Sequence, residues 1–408
     1  TYVNCYLGVQ SFYFETTINL ISGSKPYLYK LLKKNSILFL VSTIVTLCFC
    51  EVIIRMFYPQ ITEHDKMFTY DNELGWKFIS NKKGIIIYPG EAYHYIRTNE
   101  EGFREGPFPN NTDSTKKIMV LGDSFVSNVS VRDEEVFTEV LETLLPDYAV
   151  LNFGVNAYGQ VQEYILQQKW VPLLKPDILV VMIYLKNDFT DNTGEKDWLY
   201  SRPYASLTEN GVLRLNPAKD HSIRPSPKKG LLNKSHLYQF VITRTRNIRA
   251  KYSESNDQGR LKRFRAPELS FCRREPTAEV KEKFVIMKKL LMKISNHAKD
   301  NNVPIVFALA PSIVQVENDL WKQWVLDKTE EDEKYDRAIP NKILMDFAAE
   351  KGLNMLDLLP VLHSETKKGK KLYNPIEQHW TAEGNRVVAH KIMEYLKSQN
   401  FVSYSGDK

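Results

Sequence analysis

The sequence predicts an α/β fold built on a parallel sheet that helices cover on both faces. Short apolar runs, which are typical of buried parallel strands, alternate along the chain with segments of helical periodicity. Hydrophobic residues make up 43% of the 408 residues, which is ample for a core and excludes a chain that is disordered throughout. The length allows one large domain or two smaller ones.

The charge balance and the cysteines exclude several classes of protein. A net charge of +6 on 408 residues is mild and does not predict a nucleic-acid partner. Two of the four cysteines lie inside an apolar segment and Cys272 stands alone, so they form neither a disulfide framework nor a zinc site. No phosphate-binding loop or dinucleotide fingerprint occurs. The sequence therefore predicts no cofactor and no metal.

An apolar segment near the amino terminus predicts a transmembrane signal-anchor helix over residues 36–58. The stretch from Ser36 to Cys50 carries no charge, and its apolar character continues to Tyr58. A run of about 20 such residues is long enough to cross a membrane. Glu51 and Arg55 stand four residues apart within it and could pair near the membrane interface.

Basic residues before this segment predict its orientation. Few basic residues follow it closely, whereas four lysines precede it: Lys25, Lys30, Lys33 and Lys34. The positive-inside rule then places residues 1–35 in the cytoplasm and the rest of the chain outside, in the periplasm or at the cell surface. A cleaved signal peptide and a buried soluble helix are the alternatives, although no small-x-small cleavage site follows Cys50.

The sequence predicts that residues 59–114 form a small β-rich lead-in before the main domain. This part is turn-rich and aromatic, and its short apolar runs are bounded by glycine and asparagine, as around Gly75 and Gly84. Such runs are typical of short strands. The pattern alone assigns no function to them.

The alternation that predicts the sheet lies in residues 115–400. Five apolar runs predict strands: Ile118 to Leu121, Ala149 to Phe153, Ile178 to Leu185, Ile305 to Ala310, and Leu353 to Leu356. Helical patterns stand between and after them: one with Phe137, Val140, Leu141 and Leu144 on one face, one that ends near Leu174, then Thr277 to His297, Asn341 to Lys351, and Ala382 to Leu396. Strands that alternate with helices in this way form parallel sheets.

Polar residues follow three of the predicted strands directly. Ser124 comes after the first strand, the loop Gly154 to Gly159 after the second, and Asn187 after the third. All three therefore belong at the carboxyl edge of one sheet, where open α/β sheets bind ligands. A serine at this edge is a nucleophile if a base reaches it, or else a residue that caps a helix.

A fourth polar group precedes the last helix, with His379 in a loop and Glu377 two residues before it. Acyl transfer needs a nucleophile, a base, a group that orients the base, and an oxyanion hole. Ser124 can be the nucleophile and His379 the base, and the side-chain amide of Asn187 can bind the oxyanion. Backbone N–H groups of Ser124 and of the Gly154 to Gly159 loop can complete the hole.

These motifs resemble those of a known family. Gly122-Asp123-Ser124 resembles the nucleophile block of the SGNH hydrolases, the GDSL-type esterases and acylhydrolases, some of which are membrane-anchored bacterial proteins. Asn187-Asp188 is similar to the block with the oxyanion asparagine, and His379 with Trp380 and Gly384 is similar to the histidine block. Two parts of the chain carry the resemblance, residues 115–190 and 280–398. It implies a flavodoxin-like three-layer sandwich with about five parallel strands, and an activity on acyl esters.

Three positions depart from the family pattern. The glycine of the second block falls on Ala157, whose backbone N–H can still donate, with Gly154 close by. The glycine two residues before the asparagine is Leu185. The aspartate three residues before the histidine is Ile376, so Glu377 takes the role of the acid or else is a surface carboxylate. The predicted oxyanion hole comprises Ser124, Gly154, Ala157 and Asn187.

Residues 191–276 interrupt the α/β pattern as an insertion. Leu237, Phe240 and Val241 predict one short amphipathic helix within it. Eight basic residues crowd its second half: Arg244, Arg246, Arg249, Lys251, Arg260, Lys262, Arg263 and Arg265. The insertion is either a solvated face with a flexible loop, or a lid that contacts anionic headgroups or an acidic glycan.

Together these observations predict a membrane-anchored, extracytoplasmic serine esterase. Its substrates would be small acyl esters, acetyl esters foremost, on glycans or other acylated carbohydrates, and its partners the substrate and the membrane but no nucleic acid. Three alternatives stay open. They are an O-acyltransferase that acts on an envelope polysaccharide with the same site, a lipid acylhydrolase, and a non-enzymatic scaffold that retains the fold.

Overall fold

The structure, a computed structural model, describes residues 34–58, 60, 67–85, 94–104, 115–194, 200–218, 234–254, 269–326, 334–375 and 377–402. The chain divides into two compact units. One unit comprises residues 1–63 and 229–245, and the other comprises residues 64–228 and 246–408.

The described elements are numbered in chain order. The strands are β1 (Phe68–Asp71), β2 (Gly75–Phe78), β3 (Lys83–Ile85), β4 (Tyr95–Arg97), β5 (Lys116–Gly122), β6 (Tyr148–Gly154), β7 (Ile178–Tyr184), β8 (Tyr204–Leu207), β9 (Leu213–Asn216), β10 (Ile305–Ala310) and β11 (Met355–Asp357). The helices are α1 (Lys34–Phe57), α2 (Ser124–Ser127), α3 (Phe137–Leu144), α4 (Gln160–Leu174), α5 (Asp188–Asp191), α6 (His236–Glu254), α7 (Ala278–Asp300), α8 (Ile313–Val316), α9 (Asn318–Leu326), α10 (Ile339–Lys351), α11 (Leu359–Lys367) and α12 (Ala382–Ser398), with a 3₁₀ helix at Asp133–Glu135.

Five strands form one sheet in the order β11-β10-β7-β5-β6, and every neighbouring pair is parallel. The predicted parallel sheet is therefore confirmed. The chain runs from β5 to β6 on one side of β5, and then crosses back to β7 on the other side. The carboxyl ends of β5 and β7 thus flank the point at which the strand order reverses. In open α/β sheets this crevice is where ligands bind.

The side chains of the central strands alternate between two cores. In β5, Met119 and Leu121 pack in the core beneath α4 and α7, whereas Ile118 and Val120 pack in the core beneath α3 and α12. The result is the three-layer sandwich that the resemblance implied. Both faces of the sheet are covered by helices, which explains why the strands are continuously apolar and do not alternate with polar residues.

The described part of the lead-in consists of two antiparallel hairpins, β1–β2 and β3–β4, which confirms the predicted β extension. Trp76 of β2 is fully buried, and its Nε1–H donates to the carbonyl oxygen of Asn156 at 3.0 Å. The hydroxyl of Tyr158 donates in turn to the carbonyl oxygen of Trp76. The lead-in therefore braces the loop that follows β6.

The insertion holds more regular structure than the sequence predicted. Its first part forms the antiparallel hairpin β8–β9, in which Ala205 packs against Ile286 and Leu290 of α7. Its helix, α6, has 19 residues where a short helix was predicted. The basic residues beyond that helix lie outside the described residues: Arg260, Lys262, Arg263 and Arg265.

The predicted membrane helix corresponds to α1, which spans 24 residues and reaches a mean hydropathy of 2.6. At 1.5 Å per residue it is about 36 Å long, which is enough to cross a bilayer. A signal sequence meets the same criteria of length and composition. The predicted pair is present, with Arg55 Nη2 lying 3.3 Å from Glu51 Oε1.

The carboxylate of Glu51 also caps the start of α6. It accepts hydrogen bonds from Ser235 Oγ at 2.8 Å, from His236 N at 3.0 Å and from Leu237 N at 2.8 Å. The first N–H groups of a helix have no acceptor within the helix itself, and a nearby carboxylate satisfies them and favours the helix dipole. A residue of α1 thus caps a helix that begins far along the chain.

The last strand of the sheet begins two residues later than the sequence predicted. The predicted strand started at Leu353, whereas β11 starts at Met355. Gly352 has a left-handed φ of 65° and ends α10, and Leu353 N donates back to Ala348 O at 2.9 Å. Leu353 therefore belongs to the helix cap, because its N–H satisfies a carbonyl of the last turn.

Candidate active site

Ser124 is the first residue of α2, directly after the central strand β5. The chain turns sharply at Gly122, where an added Cβ would lie 2.4 Å from Val126 Cγ2. The side chain that caps α2 belongs to Asp123, whose Oδ1 accepts from Phe125 N at 2.8 Å. The hydroxyl of Ser124 is therefore not needed as a cap, and Ser124 N–H lies in the first turn, where helices leave donors without an acceptor of their own.

The base that the sequence predicted lies within reach of this hydroxyl. His379 Nε2 is 2.7 Å from Ser124 Oγ. The other ring nitrogen, Nδ1, is hydrogen-bonded to Oε2 of Glu377, whose side chain is only 4% exposed. With the Nδ1–H donating to this carboxylate, Nε2 carries a lone pair that can accept a proton from the hydroxyl of Ser124. Ile376, at the family's aspartate position, lies outside the described residues.

The loop that carries His379 is tied to the nucleophile turn. Asn374 N donates to His379 O at 2.9 Å and closes the loop on itself. Asn128, which follows α2, donates from Nδ2 to Trp380 O at 3.1 Å. The ring of Phe125 packs against the imidazole with 5.1 Å between centroids. These contacts fix the separation of the serine and the histidine.

The predicted oxyanion donors lie in two loops, one after β6 and one after β7. Ala157 is the third residue of a tight turn closed by a hydrogen bond of 3.1 Å from Tyr158 N to Val155 O, and its φ is 61°. This is the position at which a turn of this kind favours glycine, as the family has. Asn187 lies at the end of the turn that follows β7, immediately before α5. Its Nδ2 donates to Asp191 Oδ2 at 2.6 Å.

Gly154 does not belong to the oxyanion hole, contrary to the prediction. Its N–H donates to Oδ1 of Asn152 at 2.9 Å, so this donor is already engaged. An added Cβ at Gly154 would lie 2.3 Å from Ser127 N. Gly154 is therefore a packing glycine that lets β6 approach α2, and the backbone donors left for the hole are those of Ser124 and Ala157.

The predicted site residues other than Gly154 line one cleft of about 280 Å³. Its walls include Ser124, Ala157, Asn187 and His379, together with Lys186 and Gln378, which the sequence analysis did not single out. Lys186 Nζ donates to Oε1 of Gln378. Both of these residues adjoin a predicted site residue, so their position at the cleft could have been inferred from the motif blocks.

Buried carboxyl groups lie behind the nucleophile. Burial raises the pKa of Asp123 to about 6, and it raises the pKa values of Glu163 and Asp188 well above their ordinary range. Asp188 Oδ2 accepts hydrogen bonds from Tyr184 N at 2.9 Å and from Gln160 Nε2 at 2.6 Å. A raised pKa favours the neutral form of Glu163 and Asp188, which limits the negative charge behind Ser124.

Comparison with known proteins agrees with this geometry. Residues 273–408 match the family model described as the SGNH hydrolase-like domain of the acetyltransferase AlgX. The last third of the chain is therefore similar to an SGNH hydrolase-like domain. The matched part contains Glu377 and His379, whereas Ser124 precedes it. This similarity supports an activity on acyl esters, by hydrolysis or by transfer.

A search of solved structures finds several similar chains at low sequence identity. A lipolytic protein of the G-D-S-L family from Veillonella parvula is 12% identical, with a TM-score of 0.37, and the match covers 69% of this chain and 97% of that one. The acetyl xylan esterase AlAXEase is 12% identical, with a TM-score of 0.35 and coverages of 68% and 98%. A lipase/acylhydrolase from Enterococcus faecalis is 10% identical, with a TM-score of 0.34 and coverages of 70% and 97%. No curated protein matches the chain in a sequence search.

Two further residues contact the loop that carries Ala157 and were not predicted. Trp76 donates to the carbonyl of Asn156, next to Ala157. Arg202 donates from Nη1 to Ala157 O at 3.0 Å. They come from the lead-in and from the insertion, and only the folded chain brings them to the site. No sequence signal other than the position of the insertion could have found them.

Proposed function

We propose that this protein is a membrane-anchored serine esterase that removes short acyl groups, acetyl foremost, from hydroxyls of carbohydrates outside the cytoplasm. The observation that carries the proposal is the hydrogen-bonded series Ser124–His379–Glu377, with 2.7 Å between Ser124 Oγ and His379 Nε2. This arrangement provides a nucleophile, a base and an orienting acid, and it supports an enzyme over a scaffold without activity.

The acylation step follows from these positions. Ser124 Oγ attacks the carbonyl carbon of the ester while His379 Nε2 takes the hydroxyl proton. The carbonyl oxygen becomes an oxyanion, and the charged imidazolium is stabilised by Glu377. The tetrahedral intermediate then collapses, the proton passes from His379 to the leaving alkoxide, and the acyl group stays on Ser124.

Deacylation repeats the sequence with water as the nucleophile. His379 takes a proton from the water, which attacks the acyl carbon, and the proton returns to Ser124 as the carboxylic acid leaves. The donors for both oxyanions are the N–H groups of Ser124 and Ala157 and the side-chain amide of Asn187. Each such donor contributes about 10²- to 10³-fold in kcat in comparable enzymes.

The size and openness of the cleft support a short acyl group on a large alcohol. A cleft of about 280 Å³ has room for an acetyl ester. The cation of Lys186 and the amide of Gln378 stand at its wall, where they can contact polar groups of a sugar. These features support a carbohydrate ester over a lipid.

A second candidate function is transfer of the acyl group to another sugar hydroxyl. The family model that matches residues 273–408 is described by the acetyltransferase AlgX, and this observation favours transfer. The acyl-Ser124 intermediate is common to both reactions. Hydrolysis and transfer differ only in whether water or an alcohol attacks it.

The test is to give the full-length chain, in detergent or lipid nanodiscs, an aryl acetate together with an oligosaccharide acceptor. Mass spectrometry then measures free acetate against O-acetylated sugar, with Ser124→Ala as the control. The esterase proposal predicts that most acetyl groups reach water. Predominant transfer would replace it with the second candidate, and the absence of both products with the wild-type chain would contradict the proposed function.

A further inference from the structure

Arg202 lies beneath the two loops that carry the oxyanion donors. It stands in the insertion before β8, and only 2% of the residue is exposed. Its Nη1 donates to Ala157 O at 3.0 Å and lies 2.9 Å from Asp191 Oδ1. The two contacts join a residue of the β6 loop to a residue of α5 through a single side chain.

The contact to Asp191 extends to the oxyanion asparagine. Asp191 accepts at Oδ2 a hydrogen bond of 2.6 Å from Asn187 Nδ2. This bond fixes the amide plane of Asn187, which lines the cleft. Nδ2 also lies 3.4 Å from Asp123 Oδ2, a long contact that an oxyanion in the cleft can replace. Arg202 therefore reaches Ala157 directly and Asn187 through one carboxylate.

The guanidinium is itself held in place. Its plane lies over the indole of Trp76, with 5.1 Å from Cζ to the ring centroid. Trp76 Nε1 donates to the carbonyl of Asn156, the residue before Ala157. Because a guanidinium that stacks on an aromatic ring keeps its orientation, Arg202 can hold both of its partners at a fixed spacing.

We propose that Arg202 is a positioning residue that sets the spacing of the two oxyanion donors, Ala157 N–H and Asn187 Nδ2–H. The inference rests on the proposed function, since it assigns a role within the same site. Arg202 acts in two ways. It fixes the left-handed Ala157 through its carbonyl, and it offsets the negative charge of Asp191, which would otherwise oppose an oxyanion bound to Asn187.

The first arm of the test is the kinetics of Arg202→Gln and Arg202→Lys on an aryl acetate. Arg202→Gln should lower kcat about 10²-fold and change KM by less than about threefold, because oxyanion donors act on the transition state and not on the bound ester. Arg202→Lys keeps the positive charge beside Asp191 but cannot contact Ala157 O and Asp191 together. Its kcat should fall about 10-fold.

A matched control is Arg337→Gln. Arg337 also lies over an indole, that of Trp321 at 5.0 Å, and also donates to a backbone carbonyl, Gln315 O at 3.2 Å. It does not line the cleft. Its loss should lower thermal stability without lowering kcat, so the comparison separates a structural cost from a catalytic one.

The deciding arm is a double-mutant cycle with Asn187→Ala. If Arg202 acts through the oxyanion donors, Arg202→Gln should lower kcat by less than about 10-fold in a chain in which Asn187→Ala has already removed one of these donors. An equal loss of kcat with and without Asn187→Ala would overturn the inference, and so would wild-type kcat in both Arg202 variants. Neither result would contradict the proposed function, because the wild-type chain would still be active. If Arg202→Gln does not fold, Arg202→Lys runs the same cycle. A wild-type chain without any esterase or transferase activity would overturn both.

Discussion

Glu377 contacts His379 from a position other than that of the aspartate in the family motif. It stands two residues before His379, and its longer side chain brings Oε2 to Nδ1 of the imidazole. An aspartate three residues before the histidine and a glutamate two residues before it thus meet the same ring nitrogen. The acid of the triad is defined by this contact and not by its place in the motif.

Replacing Glu377 by glutamine tests this assignment. Glutamine has nearly the same shape but cannot stabilise the imidazolium, and its amide can favour the wrong tautomer of His379. We expect kcat to fall about 10²-fold, less than the 10⁴-fold known for a lost aspartate, with little change in KM. Steady-state kinetics on an aryl acetate measure the effect. Glu383→Gln is the control, since this carboxylate pairs with Lys370 near the same loop. Unchanged kcat in Glu377→Gln would make the site a Ser–His dyad.

Asp123 gives the folded chain a dependence on pH. Burial raises its pKa from an ordinary 3.8 to about 6, so between about pH 4 and pH 6 the folded chain keeps a proton that the unfolded chain has released. The contribution of Asp123 to the free energy of unfolding therefore falls as pH rises through this range and is level above it. The expected fall is about 3 kcal/mol.

Asp123→Asn should remove this dependence. Asparagine stays neutral and keeps an oxygen that can accept from Phe125 N, as Asp123 does at 2.8 Å. The stability of the variant relative to the wild type should therefore increase by about 3 kcal/mol from pH 4 to pH 8. Urea denaturation at a series of pH values measures it. Parallel pH profiles for the two proteins would show that Asp123 is already ionised at low pH in the folded chain.

At the scale of elements, the strands were more predictable than the connections. The runs that became β5, β6, β7 and β10 are continuously apolar because both faces of the sheet are covered, and few other structures produce that pattern. The hairpin β8–β9 was missed because its strands are short and half-polar, and they pack on α7 only after the chain has folded. The length of α6 was missed because its cap is supplied by Glu51, from another part of the chain.

This cap makes a prediction about α6. Glu51→Ala removes the acceptor for three donors at the first turn, and a lost helix cap costs about 1 kcal/mol, which is about fivefold in a local opening equilibrium. Amides of residues 236–240 should therefore exchange hydrogen about fivefold faster. Hydrogen exchange read by mass spectrometry checks this, with Ser42→Ala as a control because Ser42 Oγ bonds within α1 to Phe39 O. Unchanged exchange in Glu51→Ala would rule out the cap.

The residues of the candidate active site also differ in how well the sequence predicts their positions. Ser124, Asn187 and His379 could be placed from the sequence because each follows a strand or precedes a helix at the carboxyl edge of the sheet. Gly154 was misplaced because only the structure reveals that its N–H is bound by Asn152. Arg202 could not be placed at all, because a buried arginine in an insertion carries no local pattern.

At the scale of the whole molecule, the proposed extracytoplasmic location depends on the orientation of α1. The lysines before α1 predict that residues 1–35 stay in the cytoplasm. Alkaline phosphatase fused after Lys408 should therefore be active in a bacterial host, because this reporter folds only outside the cytoplasm. A fusion after residue 33, which lacks α1, should be inactive. An inactive fusion after Lys408 that is nevertheless found in the membrane fraction would contradict this orientation.

The central claim is that Ser124 is a nucleophile activated by His379, and labelling with a fluorophosphonate tests it most directly. The wild-type chain should gain one adduct, which peptide mass spectrometry assigns to Ser124. Ser124→Ala and His379→Ala should lose it, and Ser124→Ala should keep its melting temperature, since the lost hydroxyl is worth only about 1 kcal/mol. A folded wild-type chain with no adduct on Ser124, or full labelling of Ser124 in His379→Ala, would contradict the claim.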